Sequence, residues 1–135
     1  MPAAPCVRTK SWIRLTTPGQ IFFLAIVLTA PRKVVGYLGL NLADESQAIL
    51  QIFLSRSFQK QGLAIEALDA LLGFCFEAIK LHRATASCDS RNQAARKLFQ
   101  NVGMRQEAEF VKDTPGAEGW LSTVWYAALE EEYLG

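Results

Sequence analysis

The fold is decided by residues Phe58–Ala67, which read FQKQGLAIEA and lie between two segments of regular pattern. The apolar run Ile49–Leu54 precedes this stretch, and an amphipathic segment follows it. A strand, a short loop with a glycine and a helix, in that order, bring backbone N–H groups and the positive end of a helix dipole to one place. That arrangement suits a phosphate or diphosphate anion.

The same stretch differs from two common nucleotide-binding loops. It has no Gly-Lys-Ser/Thr ending, which the P-loop of nucleoside triphosphatases requires, and it lacks the three glycines of the dinucleotide fingerprint. A glycine between a strand and a helix can also serve only the geometry of the turn. The loop by itself therefore leaves open whether it holds an anion.

The size and composition of the chain favour one domain. Its 135 residues are 50% hydrophobic and 20% charged, as in a protein with a single core. The longest apolar run, Ile21–Leu28, is too short for a membrane span and is typical of a buried strand. We therefore expect a single domain over residues 1–135 that does not enter a membrane.

The cysteines and the histidine bear on the kinds of site to expect. Cys6, Cys75 and Cys88 form no CxxC pair, which favours a reducing, cytoplasmic location. His82 is the only histidine. A multi-histidine metal site and a Ser-His-Asp triad are therefore not expected, and we predict no metal.

The charges are segregated along the chain, although the formal net charge is only +1. Basic residues dominate before residue 36 and between residues 80 and 105, whereas acidic residues dominate after residue 105. A nucleic-acid-binding domain usually has a larger positive surplus. The basic middle segment suits an anionic cofactor and the acidic end suits a cationic amine, but ordinary solvated surface explains both equally well.

The apolar pattern predicts three strands, a helix, a strand, a helix and two final strands. An antiparallel start and one strand–helix–strand crossover make this a mixed α/β sheet. Asp89 or Ser90 can cap the second helix, and Gly103 lies where a left-handed C-terminal cap is expected. The predicted strands are residues 21–28, 34–42, 49–54, 84–88, 106–112 and 120–128, and the predicted helices are residues 63–79 and 92–101.

Two blocks together resemble the GNAT superfamily of N-acetyltransferases. Gln59–Ala64 is similar to that family's pyrophosphate loop, Gln/Arg-x-x-Gly-x-Gly/Ala. Leu81–Asn92, with the sequence LHRATASCDSRN, and Val102–Met104 resemble a second pattern in the branch of ribosomal-protein N-terminal (RimJ/RimL-type) acetyltransferases. Both blocks have the family's order and spacing, and the resemblance covers roughly residues 21–130.

The resemblance implies the GNAT acyl-CoA N-acyltransferase fold and acetyl-CoA (acetyl-coenzyme A) as the cofactor. In the family, the loop holds the pyrophosphate mainly through main-chain N–H groups, and the strand before it splays from its parallel neighbour and pairs with the pantetheine arm. An asparagine hydrogen-bonds pantetheine, and a base on the last helix can reach the adenosine phosphates. The residues of this chain thereby assigned to the cofactor are Ile52, Phe53, Leu54, Gln59, Lys60, Gln61, Gly62, Leu63, Ala64, Asn92 and Lys97.

Three of these assignments have an ordinary alternative. Lys60 can be a plain surface lysine, and the ring of Phe53 can belong to the core. Asn92 can act as a helix cap.

The residues that move protons are less well defined. Many relatives protonate the leaving thiolate with a tyrosine that matches Phe99, and the nearest branch has a serine that matches Ala95. Neither residue can donate a proton, so unassisted or water-assisted departure of the thiolate stays open. Glu45, in the turn before the third predicted strand, is our candidate for drawing a proton from the acceptor through water. A solvated turn is its alternative.

The first twenty residues match the family poorly. Relatives have an opening strand and one or two helices there, which line the acceptor pocket, and this segment is too short for them. Either a partner subunit completes that side, or the chain is a shortened form of a longer protein. By analogy with the fold, exposed sheet edges are compatible with a homodimer.

The sequence favours an enzyme that transfers an acetyl group from acetyl-CoA to a primary amine of a peptide N-terminus or a small molecule. The alternative is a non-catalytic GNAT-like module that holds acyl-CoA without turning it over. The two missing proton donors and the short N-terminal segment motivate this alternative.

Overall fold

The computed structural model describes residues 7–15, 21–29, 32–59 and 62–134. Within these ranges seven strands form one sheet and three α-helices follow or connect them. The strands are β1 (Val7–Leu15), β2 (Ile21–Thr29), β3 (Arg32–Leu42), β4 (Gln47–Leu54), β5 (Arg83–Asp89), β6 (Arg105–Gly116) and β7 (Gly119–Leu129). The helices are α1 (Leu63–Gly73), α2 (Gln93–Asn101) and α3 (Glu130–Leu134).

The strand order across the sheet is β1-β2-β3-β4-β5-β7-β6. Every neighbouring pair is antiparallel except β4 and β5, which run parallel and are joined by the crossover through α1. This confirms the mixed α/β sheet and the hairpin expected at its start. None of the described helices is long and apolar enough to cross a membrane.

The parallel pair β4 and β5 is joined over only a short length. The pairing runs from Gln47 with Arg83 to Ile49 with Thr85. Beyond Ile49, β4 continues to Leu54 in register with β3 alone, and β5 continues in register with β7. The sheet therefore opens into a gap between the C-terminal halves of these two strands.

The core lies on one face of the sheet, under the helices. Alternate residues of β3 and β4, such as Leu38 and Leu50, are buried there against Leu68 and Leu72 of α1. Fully burying one such side chain contributes about 1.5–3 kcal/mol. The opposite face carries aromatic rings that remain partly exposed, including those of Tyr37 and Phe53.

The first predicted helix changes its geometry before it ends. It is α-helical only to Gly73, and Phe74–Ala78 forms a wider π-helical turn. In that turn the N–H of Ile79 donates to the carbonyl oxygen of Phe74, five residues earlier, at 3.1 Å. The sequence predicted a single helix to residue 79, and this was wrong for the last turn, which is a π-helix. Apolar spacing alone does not distinguish an α-helix from a π-helix.

The N-terminal cap of α2 is Asn92. Its Oδ1 accepts a hydrogen bond from the N–H of Ala95 at 3.1 Å, so the prediction of Asp89 or Ser90 was wrong. The Asp89 carboxylate instead accepts from the N–H of Arg91 at 2.9 Å. At the other end, Gly103 has a φ of 92°, which confirms the expected left-handed cap.

The two ends of the sheet also differ from expectation. An opening strand, β1, pairs with β2, although residues 1–20 were expected to be too short to form one. At the other end β6 extends to Gly116 instead of stopping at residue 112. Hydrogen bonds between the Thr123 hydroxyl and both Asp113 and Thr114 keep β6 and β7 together past a bulge.

Gly36 provides a test of the register between β3 and β4. A Cβ at this position would lie 2.2 Å from the carbonyl oxygen of Phe53, so Gly36→Ala must push the strands apart. We expect a loss of about 1–3 kcal/mol in the free energy of unfolding, measured by urea denaturation. Gly39→Ala is the matched control, since its Cβ would meet the mobile end of the Gln51 side chain at 3.2 Å. An equal loss of unfolding free energy in both variants would contradict the steric explanation for Gly36.

An ion pair between β5 and β6 provides a second test. Arg83 binds the Glu107 carboxylate through both Nη atoms, and Arg105 adds a bond of 2.8 Å. The Arg83 hydrogen bond is the main cause that lowers the pKa of Glu107 from 4.5 to about 2. Because the folded pKa is depressed, this stabilisation is complete above pH 4.5 and is lost as the pH falls towards 2.

Glu107→Gln should therefore lower the free energy of unfolding at pH 7 by about 1 kcal/mol or less, because the pair is partly solvated. The variant should also lose less stability than the wild type between pH 4.5 and pH 2. Urea denaturation at several pH values measures both effects. Glu118→Gln is the control, and a pH profile identical in wild type and Glu107→Gln would contradict the assignment.

Candidate functional site

A cavity of about 540 Å³ lies beside the gap in the sheet, between the end of β4, the start of α1 and one side of α2. Its walls combine aliphatic side chains from β4 and the helices with amide groups and one lysine. The described residues that line it are Ile52, Leu54, Gln59, Gly62, Ala64, Ile65, Asn92, Gln93, Ala94, Ala95, Lys97, Leu98 and Asn101.

The N-terminus of α1 opens onto this cavity without a side-chain cap. Gly62, at the cap position, has a φ of 78°, a conformation that glycine adopts without strain. The first helical hydrogen bond runs from the N–H of Glu66 to the carbonyl oxygen of Gly62 at 3.1 Å, and the N–H groups of residues 63–65 have no helical acceptor. A Cβ on Gly62 would meet nothing within 4 Å. This helix end is therefore geometrically suited to an anion.

The loop before α1 is tied back to the sheet. The Gln59 side chain donates from Nε2 to the carbonyl oxygen of Leu54 at 3.1 Å, and the N–H of Ser55 donates to the carbonyl oxygen of Val35 at 2.8 Å. The N–H of Phe58 closes the short turn onto Ser55 at 2.9 Å. These bonds hold the chain as far as Gln59 at a defined place relative to β3 and β4.

The N-terminus of α2 is closed, in contrast to that of α1. Asn92 caps it with its own side chain, as described above, and it also lines the cavity. Lys97 lies one turn further along and is exposed. Its ammonium is the one charged group among the described lining residues, so the cavity favours a negatively charged ligand.

The cavity unites many of the residues predicted to bind the cofactor. From one strand, the loop after it and two helices it gathers Ile52, Leu54, Gln59, Gly62, Ala64, Asn92 and Lys97. Their separation in sequence reflects the crossover through α1. Lys60 and Gln61 lie outside the described residues.

Phe53 and Leu63 do not line the cavity. Strand alternation turns Phe53 to the opposite face, where its ring is 56% exposed and stacks on Tyr37 with 5.2 Å between centroids. The interpretation of this ring as part of the core was therefore wrong. Leu63 is 1% exposed and belongs to the core beneath α1. For both residues, a contact through the main chain remains a prediction.

Besides Ala95, which was placed only by its match to a family serine, sequence reasoning missed five residues of the lining. Ala94, Leu98 and Asn101 follow each other at helical spacing on α2, and Ala94 and Leu98 belong to its apolar side. The spacing itself was the available signal, because one apolar stripe can face a ligand as well as a core. The missed residues are Ile65, Gln93, Ala94, Leu98 and Asn101.

Glu45 lies in the exposed turn between β3 and β4 and does not line the cavity. That turn adjoins the end of β4 that pairs with β5, whereas the cavity lies at the other end. Asp44 braces the turn by accepting hydrogen bonds from the N–H groups of Ser46 and Gln47 at 2.7 and 3.0 Å. The bonds from Ser46 lower the pKa of Asp44. A catalytic role for Glu45 stays a prediction.

The described lining contains no carboxylate, imidazole, thiol or hydroxyl group. Ala95 lines the cavity with its methyl group. Phe99 is 4% exposed and packs against the buried ring of Tyr126, with 5.4 Å between centroids. Among the described residues no cluster of three or more metal-ligating side chains occurs.

Comparison with known proteins assigns the chain to a family. The model of the acetyltransferase (GNAT) domain matches residues 4–105, about three-quarters of the chain. The chain therefore belongs to the GNAT acetyltransferase family. It is 36% identical over 77 residues to the uncharacterised N-acetyltransferase YnaD of Bacillus subtilis, a match that covers 57% of this chain and 45% of YnaD. It is 27% identical over 124 residues to the uncharacterised N-acetyltransferase p20 of Bacillus licheniformis, covering 90% and 69% of the two chains.

Solved structures agree with this fold. A GNAT-family acetyltransferase from Bacillus anthracis superposes with a TM-score of 0.77 at 28% identity, over 81% of this chain and 66% of the other. The dodecameric spermidine N-acetyltransferase of Vibrio cholerae gives a TM-score of 0.80 at 19% identity, over 85% and 68% of the two chains. At that identity the second likeness shows the fold alone.

Proposed function

We propose that this protein transfers the acetyl group of acetyl-CoA to a primary amine of a peptide N-terminus or a small molecule. The observation that carries the proposal is the open N-terminus of α1, which meets a cavity at the point where two parallel strands part. An anion-binding helix end beside a free strand edge matches a cofactor with a diphosphate and an amide-containing arm. Membership of the GNAT family supports the same ligand.

The residues present fit acetyl-CoA. The main-chain N–H groups that follow Gly62 would hold the diphosphate, and the small side chain of Ala64 leaves them accessible. The edge of β4 beyond Ile49 has no strand partner on the β5 side, so its backbone can pair with the pantetheine amides. Asn92 would contact the same arm, and Lys97 would attract the adenosine phosphates. These roles are proposals.

Acetyl-CoA supplies a thioester, at which the amine nitrogen forms a bond to the carbonyl carbon while the bond from carbon to sulfur breaks. The protein contributes mainly by positioning the thioester and the amine. A main-chain N–H of β4 would polarise the carbonyl oxygen, and the aliphatic side chains of Ile52 and Leu98 would restrict water. Coenzyme A would leave as a thiolate, which needs no acid because its conjugate thiol has a pKa near the ~8.5 of a free thiol, and the proton lost by the amine would pass to water.

A non-catalytic acyl-CoA-binding module is the second candidate. The specific observation that favours it is the lack of any described proton donor or acceptor in the lining, apart from the cationic Lys97. Proton transfer from a positioned side chain typically contributes about 10²–10⁴-fold to a rate. A protein that keeps the binding surfaces without such groups can serve as a carrier or sensor of the acylated cofactor.

We further propose that residues 1–135 form a single domain and that the protein acts in the cytoplasm as a homodimer. We also propose that the protein belongs to the branch of RimJ/RimL-type enzymes. The match to the Bacillus subtilis relative spans 45% of that protein. The activity, substrates and partners of the whole protein are therefore proposals as well.

An acetyl-transfer assay distinguishes the two functions. The protein is mixed with acetyl-CoA and a panel of N-terminal peptides, monoamines and spermidine, and free thiol is followed. Acetyl transfer predicts thiol release that saturates with at least one amine and yields one acetylated amine per thiol by mass spectrometry. Saturable binding of acetyl-CoA with no thiol released for any amine would favour the binding module.

Substitution of Gly62 tests the placement of the diphosphate. Gly62→Glu should lower the affinity for coenzyme A at least about tenfold, because a carboxylate would enter the anion site. Calorimetric titration measures the affinity. Gly103→Glu is the matched control, since Gly103 also has a positive φ and open space at its Cβ but lies outside the cavity lining. Equal affinities for both variants would place the cofactor elsewhere.

A further inference from the structure

Arg96 connects α2 to three other parts of the structure. Its Nε donates to the hydroxyl oxygen of Tyr126 on β7 at 3.2 Å. Its Nη1 donates to the carbonyl oxygen of Ser90, in the turn before α2, at 3.0 Å, and its Nη2 donates to Oε1 of Gln106 on β6 at 3.1 Å. Arg96 does not itself line the cavity, although its neighbours Ala95 and Lys97 do.

Apart from Arg96, α2 makes limited contacts with the rest of the structure. The helix has nine residues, and Phe99 is the only buried one in this fully described element. Ala95 and Leu98 are partly buried and pack against the core, and the other residues of α2 are polar or face the cavity. Helices shorter than about 12–15 residues are marginal on their own, so the position of α2 depends on its tertiary contacts.

The hydroxyl of Tyr126 makes the bond from Arg96 hard to replace. Tyr126 is fully buried and is the largest such side chain among the described residues. A buried hydroxyl without a partner is costly, and a hydrogen bond from a charged group is stronger than one between neutral groups. The guanidinium of Arg96 is charged at any ordinary pH, and its hydrogen bond to Tyr126 raises its pKa further. Arg96 therefore anchors a helix that carries six of the thirteen described lining residues.

We propose that Arg96 is a positioning residue. It holds α2 against β6 and β7, and thereby sets the separation between the two walls of the cavity, α2 and the start of α1. The proposal depends on the proposed function only for the identity of the ligand, coenzyme A. The role of Arg96 in placing α2 in the ligand-free protein does not depend on the proposed function.

The test compares Arg96→Met with wild type by calorimetric titration with coenzyme A, at a temperature where circular dichroism shows both proteins folded. We expect about tenfold weaker binding, because a displacement near 1 Å at a positioned group can cost up to about 100-fold. Arg96→Lys keeps the charge and one donor group and should recover part of the affinity. Arg91→Met is the matched control. The Arg91 side chain bonds only Asp89 among the described residues and is 73% exposed, and its removal should leave the affinity within about twofold.

Hydrogen exchange in the ligand-free proteins gives a readout that does not depend on the ligand. In Arg96→Met the amides of α2 should exchange faster, while those of β3 and α1 stay protected. Should Arg96→Met fail to fold, Tyr126→Phe removes only the hydroxyl and should weaken binding about threefold.

Two results would overturn the proposal. One is that hydrogen exchange of the α2 amides is the same in Arg96→Met as in wild type. The other is that Arg96→Met has a lower thermal stability, while its folded fraction binds coenzyme A with unchanged affinity. Wild-type protein that does not bind coenzyme A would count against the proposed function alone, since faster exchange in α2 of Arg96→Met would still support the positioning role.

Discussion

The parting of two parallel strands is the constraint on which the rest of this structure depends. β4 and β5 share only three residue pairs and then follow different neighbours, β3 on one side and β7 on the other. The crossover through α1 has to start at the end of the freed strand, so the helix end faces the gap. This strand order therefore places two unpaired groups side by side: the free edge of β4 and the uncapped N-terminus of α1.

The two helices around the cavity are held in different ways, and this difference is suited to their roles. α1 buries five residues in the core, Leu63, Ala67, Leu68, Leu71 and Leu72, so hydrophobic packing fixes its open N-terminus. α2 buries only Phe99, and it is attached by the partial packing of Ala95 and Leu98 and by the hydrogen bonds of Arg96. One wall of the cavity is therefore fixed mainly by packing, whereas the other depends in part on polar contacts, which are directional but easier to perturb.

The cavity supplies shape and charge more than reactive groups. Its described lining has one lysine and several amides among aliphatic residues. In the proposed function such a surface would orient a large anionic cofactor and keep water away from it, and the proton balance of the reaction would be left to solvent. The aromatic rings of Tyr37 and Phe53 lie on the other face of the sheet, where strand alternation places every second residue of β4.

The sequence by itself determined the mixed sheet, the two main helices and about half of the loop and helix residues that meet in the cavity, because apolar periodicity and the Gly62 motif are local signals. Only the tertiary structure decided which helical stripe faces the cavity and where α1 widens into a π-helical turn. It also brought Arg96 to Tyr126, thirty residues away. Such features depend on how strands pair and helices pack, and they cannot be predicted from the spacing of residue types along the chain.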